Sequence, residues 1–201
     1  KTGVYDRVLG IDLSDYMVNL GRQHFGLSPE EIIAGSIADM PVASGSVSLL
    51  HCAQVLEHIS DDLTDRILGE FARVLRPGGG FLTVGLDPHT GLDSWWVYDY
   101  FPSTLARDRA RFQSAARIRE RLQEAGFVST KTEVAQHLPL ELRVDKAKQR
   151  RLLDRTSKSQ LLLLTDAEYE AGLCRLTAEQ PVLRADLRLF ATTGVLGAAA
   201  G

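Results

Sequence analysis

Cysteine is scarce in this chain of 201 residues: Cys52 and Cys174 are the only two, and they lie far apart. A disulfide framework would require several cysteines at close spacings, so these two favour a reducing compartment. The sequence also lacks a signal peptide and any apolar run of about 18 residues, the length that a helix needs to cross a membrane. We therefore expect a cytoplasmic chain without a membrane span.

Positive charge is not in excess. The 23 lysines and arginines are outnumbered by 26 acidic residues, which gives a net charge of −3. Because a nucleic-acid-binding face needs a basic surplus, we expect no nucleic-acid partner. Arginines cluster between Arg107 and Arg121 and between Arg143 and Arg155, but acidic residues are mixed among them, which favours solvated helix faces. We predict no metal site.

One stretch, Ser46–Val84, has a clear order of elements. A short apolar run, Val47–Ala53, predicts a buried strand, and a helical stripe of apolar residues follows it. The run Arg76–Gly80 ends that helix, since glycine supplies a left-handed residue and Pro77 prevents continuation. Phe81–Val84 then predicts a second strand. Strand, helix and strand make a βαβ unit whose two strands should be parallel.

Two motifs within this stretch carry a family resemblance. Cys52-Ala53-Gln54-Val55-Leu56-Glu57-His58-Ile59 and Val74-Leu75-Arg76-Pro77-Gly78-Gly79 resemble the signatures that follow strand 4 and precede strand 5 in class I S-adenosylmethionine (SAM)-dependent methyltransferases, of the methyltransferase type 11 and ubiquinone-type O-methyltransferase branches. The resemblance implies an α/β fold, with a Rossmann-like, mostly parallel sheet, flanking helices and an antiparallel last strand. It also implies SAM as cofactor and methyl transfer to a small-molecule acceptor.

The same resemblance indicates what the sequence lacks. In the family a first strand and a glycine-rich turn precede strand 2, and no such turn lies upstream of Asp12. That first strand occupies the centre of the sheet in the family. We therefore expect a single domain over residues 1–201 that lacks strand 1. Its sheet should be split, rearranged or completed by a strand from another chain, which leaves a homo-oligomer open.

The resemblance assigns the cofactor to the ends of three strands. Val8–Asp12 predicts a strand that ends in an acid, and a carboxylate there can accept the ribose hydroxyls of a nucleoside. Ser36 stands where the family has the aspartate that accepts the adenine amino group, and the N–H of Ile37 could still bond an adenine nitrogen. The implied cofactor-binding residues are Asp12, Leu13, Ser36, Ile37, Cys52 and Ala53. For Asp12, a helix-capping carboxylate without a ligand is the alternative.

The acceptor side is predicted from histidines and aromatics. In relatives the histidine of the Glu57-His58 pair lies near the methyl-transfer site, so His58 or His89 would act as the base; a histidine that only orders its loop is the alternative. Five aromatics follow a predicted strand whose end faces the ligand crevice. Those assigned to the acceptor pocket are Trp95, Trp96, Tyr98 and Phe101. Packing of a helix onto the sheet is the alternative for these rings.

The C-terminal half predicts a helix, two strands and an insert. Ser103–Ala125 has the pattern of one long polar helix, and Val128–Val134 and Leu187–Thr193 have those of strands 6 and 7. Between these strands, Leu138–Gln180 should form a helical insertion. Because strand 6 ends at the edge that holds the ligand crevice, the insertion is a candidate substrate lid. Padding of the sheet edge and a dimer contact are the alternatives.

Two other functions stay open beside methyl transfer. The chain could keep the fold without a competent SAM site, as a non-catalytic remnant or scaffold. It could instead be an NAD-linked oxidoreductase, because an acid after strand 2 also suits NAD. The oxidoreductase hypothesis does not explain the two motifs and ranks last.

Overall fold

The computed structural model describes residues 5–198, which form two sheets and the helices around them. The strands are β1 (Gly10–Asp12), β2 (Ile32–Ala34), β3 (Val47–Ala53), β4 (Leu75–Leu86), β5 (Ser94–Trp95), β6 (Phe127–Arg143) and β7 (Val182–Leu196). The helices are α1 (Asp15–Phe25), α2 (Asp61–Val74), α3 (Trp96–Tyr100), α4 (Ser103–Arg111), α5 (Ala115–Glu124), α6 (Val144–Gln149), α7 (Ser159–Leu162) and α8 (Asp166–Glu179). Short 3-10 turns lie at Leu56–His58 and Arg155–Ser157. Within this described part of the chain, no helix has the length and apolar composition to cross a membrane.

The strand directions agree with the predicted fold class. β1 pairs in parallel with β2, and β3 pairs in parallel with β4. β7 is antiparallel to β4 and β5 along one edge and to β6 along the other. Helix α2 connects β3 to β4, as a parallel pair requires. The α/β class with an antiparallel last strand is therefore confirmed.

The sheet is split between β1 and β3, as expected. β1 and β2 form a sheet of their own, and no pairing joins β1 to β3 within residues 5–198. The two sheets still share one hydrophobic core, because Ile11 and Ile37 pack against the buried cluster that contains Cys52, Leu56 and Phe71. The strand ends assigned to the cofactor thus lie on one common core.

Helix α2 supplies four of the twelve buried residues of this first core. It buries residues at helical spacing, so one stripe faces the sheet. The buried residues are Thr64, Ile67, Leu68, Phe71 and Val74. The predicted glycine stop was wrong: α2 ends at Val74, its C-cap Leu75 is extended, and β4 begins there. Gly78 has a φ of 75°, a conformation that glycine adopts without steric cost, but it lies inside β4, where Gly80 pairs with Leu49.

The prediction of one long helix over Ser103–Ala125 was wrong. The structure has two helices, α4 and α5, and the chain between them is extended at Phe112. Ser114 begins α5 as its N-cap, since its side chain accepts a hydrogen bond from the N–H of Arg117. Phe112 and Gln113 are buried at the break. Helix α4 ends at Arg111 because the side chains of Phe112 and Gln113 point into the protein interior.

Strands β6 and β7 are much longer than the sequence predicted. Leu86, at the end of β4, pairs with Leu189, so the residues of β7 before Leu189 continue beyond the C-terminal end of β4. β6 pairs with this part of β7 as far as Arg143, which lies opposite Val182. Helices α6, α7 and α8 connect the two strands at this far end. The helices of the insertion therefore lie at the C-terminal edge of β4, whereas Leu138–Arg143, predicted as part of the insertion, belong to β6 because they pair with β7.

A second hydrophobic core stabilises this far end. It combines the aromatic segment after β5 with the helices of the insertion and the extended strands. Its buried members are Trp95, Trp96, Val97, Phe101, Val144, Ala147, Leu153, Leu161, Leu164, Leu176, Leu183 and Ala185. The aromatic segment and the insertion thus fold as one packed unit.

Candidate functional site

Asp12 lies at the C-terminal end of β1, where the chain enters α1. Its Oδ1 accepts a hydrogen bond from the N–H of Ser14 at 2.8 Å, and Ser14 in turn caps α1 through the N–H of Met17. The carbonyl of Asp12 accepts the N–H of Gly35 from the neighbouring strand. Asp12 is half-buried, while the adjacent Leu13 side chain is exposed. The acid is thus held by backbone contacts at the predicted strand end.

Ser36 and Ile37 follow the parallel neighbour β2 in a tight turn. The hydroxyl of Ser36 accepts the N–H of Ala38 at 3.1 Å, and its carbonyl accepts the N–H of Asp39. Ile37 is half-buried against the first core. Because β1 and β2 are parallel and in register, this turn and Asp12 emerge at the same edge.

Cys52 and Ala53 end β3 in different surroundings. The Cys52 side chain is buried in the first core, and burial together with the carboxylate of Glu57 raises the pKa of its thiol to about 12. The thiol therefore stays protonated and unreactive at neutral pH. Ala53 is exposed at the strand end. Of the two, only Ala53 offers its side chain to a ligand.

His58 closes the 3-10 turn that follows β3. Its ring meets the ring of Phe112 edge-on, with 4.6 Å between the centroids, and its other side is exposed. Partial desolvation lowers the pKa of His58, and the Arg111 guanidinium lowers it further, while Asp108 acts in the opposite direction. A lowered pKa keeps the imidazole neutral near pH 7, the form that can accept a proton.

Gln113 lies between α4 and α5 and forms hydrogen bonds to the turn that contains His58. Its side-chain amide donates to the carbonyl of Ile59 at 2.7 Å and to the hydroxyl of Thr64. Its backbone N–H donates to the carbonyl of Glu57 at 3.2 Å. Three hydrogen bonds from one buried residue therefore hold the loop after β3.

The loop after β4 also contacts the segment between α4 and α5. Asp87 is buried; its Oδ2 accepts the N–H of Ala115 at the start of α5, and its Oδ1 accepts the N–H of His89. Nε2 of His89 lies 2.8 Å from the carbonyl oxygen of Phe112. A carbonyl can only accept, so Nε2 must carry the proton, and only Nδ1 of His89 could act as a base. His58 and His89, predicted separately, thus both contact Phe112.

Glu57 is the unusual group of this site. It is 1% exposed, and neither carboxylate oxygen has a hydrogen-bond partner in the described structure, although the nearby N–H groups of Val55, Glu57 and Leu86 lower its pKa in part. Burial outweighs them and raises the pKa to about 7. The carboxyl lies against Gly85, where a Cβ would approach to 2.7 Å. It also lines a cavity of about 10 Å³.

The four aromatics assigned to the acceptor lie in the second core. Trp96 is 3% exposed and Phe101 2%, and Trp95 is also buried. The Tyr98 hydroxyl donates to Oδ2 of Asp108 at 2.9 Å. Burial, together with the Asp108 carboxylate, raises the pKa of Tyr98. Their rings contact the insertion, as Phe101 stacks on Tyr169 with 6.2 Å between centroids. Contact with an acceptor stays a prediction for all four.

Sequence reasoning missed the residues that connect these loops. Asp87, Asp108, Phe112 and Gln113 are buried, and each contacts a segment distant in the chain. The N-cap signal of Ser114 could have placed the break, but the partners of these side chains have no local signal. In the described range 5–198, no group of three or more His, Cys, Asp or Glu side chains could hold a metal ion.

Comparison with known proteins finds a matching family model and a relative that is similar over part of the chain. Residues 1–83 match the family described as Methyltransferase domain. A protein of Mycolicibacterium smegmatis named a probable S-adenosylmethionine-dependent methyltransferase is 36% identical over 76 residues. That segment covers 38% of this chain and 28% of the relative, so the chain spans less than a third of the relative's length.

Solved structures resemble nearly the whole chain. The YcgJ protein of Bacillus subtilis is 19% identical with a TM-score of 0.60, and the match covers 96% of this chain and 83% of that one. Phosphoethanolamine N-methyltransferase 2 of Haemonchus contortus, in complex with S-adenosyl-L-methionine, is 16% identical with a TM-score of 0.54. That match covers 96% of this chain and 44% of the other. At these identities the similarity concerns the fold alone.

Proposed function

We propose that this chain, which carries a class I SAM-dependent-methyltransferase-like domain, acts in methyl transfer from SAM to a small-molecule acceptor. The observation that carries the proposal is the set of polar residues at strand ends: Asp12 ends β1, Ser36 follows β2 and His58 follows β3. In α/β folds, ligands bind outside the carboxyl ends of the strands. The family match of residues 1–83 and the name of the Mycolicibacterium relative support SAM as the cofactor.

The residues present are compatible with SAM at these loops. In the described part of the chain only Oδ1 of Asp12 receives a hydrogen bond, so the carboxylate keeps acceptor capacity for a ribose hydroxyl. Ser36 and the N–H of Ile37 would border the adenine, Leu13 and Ala53 would lie beside the cofactor, and the backbone at Cys52 would form its floor. SAM itself supplies an activated methyl group, so the protein has mainly to hold the acceptor in line with it.

His58 is the stronger of the two predicted bases. Its lowered pKa favours the neutral imidazole, and one side of its ring is open to solvent. His89 has its Nε2 engaged with Phe112 and retains Nδ1 alone. We assign proton removal from the acceptor to His58 and a loop-ordering role to His89.

The insertion is proposed as the cover of the acceptor side. Its helices lie beyond the C-terminal end of β4 and contact the aromatic segment, where the Lys158 ammonium lies 5.1 Å from the Trp96 ring centroid. The helices share a core with these aromatics, so deleting the insertion would expose Trp96 and Phe101 and unfold this end. Point substitutions therefore test the cover better than deletion does.

Composition supports a small acceptor in a reducing compartment. The net charge of −3 disfavours nucleic acid, and Cys52 and Cys174 are both free thiols. We therefore propose a cytoplasmic location. A homo-oligomer would be compatible with the edges of β1 and β3 that have no strand partner within residues 5–198.

Calorimetric titration of the protein with SAM, and separately with NAD, tests the cofactor. We expect SAM to bind and Asp12→Ala to weaken that binding by about 1–3 kcal/mol, the range for a lost charge-assisted hydrogen bond. Asp15→Ala is the control, since Asp15 is an exposed acid in the first turn of α1, the helix that follows Asp12. Binding of NAD alone would favour an oxidoreductase, and binding of neither would favour a scaffold. Unchanged SAM affinity in Asp12→Ala would refute the ribose assignment.

Turnover of an accepted substrate tests His58. We expect His58→Ala to reduce turnover strongly while SAM affinity changes little, because a base acts on the acceptor. His137→Ala, at an exposed position of β6, is the control. Equal losses of turnover and SAM affinity would instead make His58 a cofactor-loop residue.

A further inference from the structure

A chain of side-chain contacts leads from the insertion to His58. It begins at Asp108 in α4, whose side chain is 1% exposed. Oδ2 of Asp108 accepts from the side-chain amide of Gln160 at 2.9 Å and from the hydroxyl of Tyr98 at 2.9 Å. Gln160 belongs to α7, so this buried carboxylate joins the insertion to α4 and α3.

Arg111 is the next contact. Oδ1 of Asp108 accepts from Nε of Arg111 at 3.0 Å and from its Nη2 at 2.7 Å. The same Nη2 donates to the hydroxyl of Ser159 at 2.9 Å, so α7 contacts Arg111 directly as well. A guanidinium held by a buried carboxylate and a serine has little freedom to move.

The guanidinium of Arg111 also contacts the ring of Phe112, which lies beside His58. Its Cζ lies 4.3 Å from the centroid of the Phe112 ring, a cation–π contact. The Phe112 ring contacts the His58 ring edge-on. Each contact in this series is between neighbouring side chains, from Ser159 and Gln160 to His58.

We propose that Asp108 and Arg111 are positioning residues that transmit the placement of α7, in the insertion, to the imidazole of His58. The insertion then has a role beyond covering the acceptor, because its correct packing also sets the orientation and the charge environment of His58. The catalytic consequence rests on the proposed function, whereas the physical coupling does not.

Electrostatics agrees with this geometry. The charged groups that act on His58 are Arg111, which lowers its pKa, and Asp108, which raises it. Both belong to α4, and both are held by α7. Glu57, the preceding residue, has its carboxyl buried against Gly85. Displacing Arg111 should therefore change the protonation of His58 as well as its position.

A histidine NMR titration of the whole protein tests the coupling without SAM or an acceptor. The His58 ring signal is assigned by its loss in His58→Gln, and its titration midpoint is measured in each variant. Arg111→Gln should raise the midpoint because the cation that lowers it is gone, and Arg111→Lys should restore it in part. Ser159→Ala should shift the midpoint in the same direction by a smaller amount.

Two comparisons make the result decisive. Ser157→Ala removes a hydroxyl of the same insertion that donates to the carbonyl of Leu152 and accepts from the ammonium of Lys158; neither group contacts Arg111 in the described structure, so His58 should stay unchanged. In the double variant with Arg111→Gln, the effect of Ser159→Ala should shrink, since the contact with Arg111 is gone and only the long hydrogen bond of 3.4 Å to Gln160 remains. An identical His58 titration in the wild type, Arg111→Gln and Ser159→Ala would overturn the proposal, as would a Ser159→Ala effect of undiminished size without Arg111. Because no cofactor is used, failure of SAM binding would leave this result unaffected.

Discussion

Replacing Glu57 by glutamine should stabilise the protein above neutral pH and leave its stability at acidic pH nearly unchanged. The carboxyl is 1% exposed and has no hydrogen-bond partner in the described structure, so ionising it in place is costly. Burial raises its pKa from an ordinary value of 4.5 to about 7. Glutamine has nearly the same shape and cannot ionise.

The sign and size follow from the proton that each state binds. Between pH 4.5 and 7 the unfolded chain loses this proton while the folded protein retains it, so the free energy of unfolding falls as the pH rises through this window. A difference of about 2.5 between the two pKa values corresponds to about 3 kcal/mol, reached above pH 7. Below pH 4.5 both states are protonated, and the variant and the wild type should be similar.

Urea unfolding followed by circular dichroism between about pH 4.5 and pH 8 measures this difference. The stability gap between Glu57→Gln and the wild type should widen across the window by about 3 kcal/mol. Glu30→Gln is the matched control, since Glu30 is exposed and the same substitution there tests only the change in net charge. Parallel stability profiles for Glu57→Gln and the wild type would refute the interpretation of a buried, unpartnered carboxyl.

Two further predictions concern packing and capping, and thermal or urea unfolding measures both. Gly172→Ala should destabilise the protein by about 1–3 kcal/mol or more, because the new Cβ would lie 2.1 Å from the ring of Phe101. Gly69→Ala, in the exposed interior of α2 where a Cβ meets nothing within 4 Å, should instead stabilise it by about 0.5–1 kcal/mol; equal effects would contradict the packing described. Ser114→Ala should cost about 0.5–2 kcal/mol through the lost cap on Arg117, and an unchanged stability would argue against that cap.

Local signals in the sequence were sufficient where the structure depends on neighbours in the chain. The bounds predicted for β3, Val47–Ala53, agree with the structure, but the predicted burial of the strand was wrong, since Cys52 is its one buried residue. Ser14 caps α1, as predicted from residue type alone, whereas Gly78 adopts the left-handed conformation only after α2 has ended at Val74. Each of these features is decided within a few residues.

Motifs also indicated a family resemblance and the strand ends. The resemblance rested on residues around Glu57-His58 and Arg76–Gly79, and the match over residues 1–83 confirms it. β1 and β3 lie in separate sheets, as expected from the strand order of the family that the motifs resemble. Whether Asp12 and His58 perform their assigned roles stays a prediction.

Tertiary structure alone decided which of the remaining side chains meet. β6 extends to Arg143 because β7, distant in the chain, pairs with it from Val182 onward, and strand length depends on that partner. The helix predicted over Ser103–Ala125 breaks because Phe112 and Gln113 are buried against loops that follow β3 and β4. No local pattern encodes such contacts.

The interior also decided the chemistry of individual groups. Trp96 and Phe101 enter the second core because the insertion packs on them, whereas their spacing in the sequence suited a pocket equally well. No local pattern marks Glu57 as buried, and only its depth beside Gly85 raises the pKa of its carboxyl to about 7. Residue type sets the chemistry that a side chain can perform, but burial and distant neighbours set its protonation, and these depend on the folded chain.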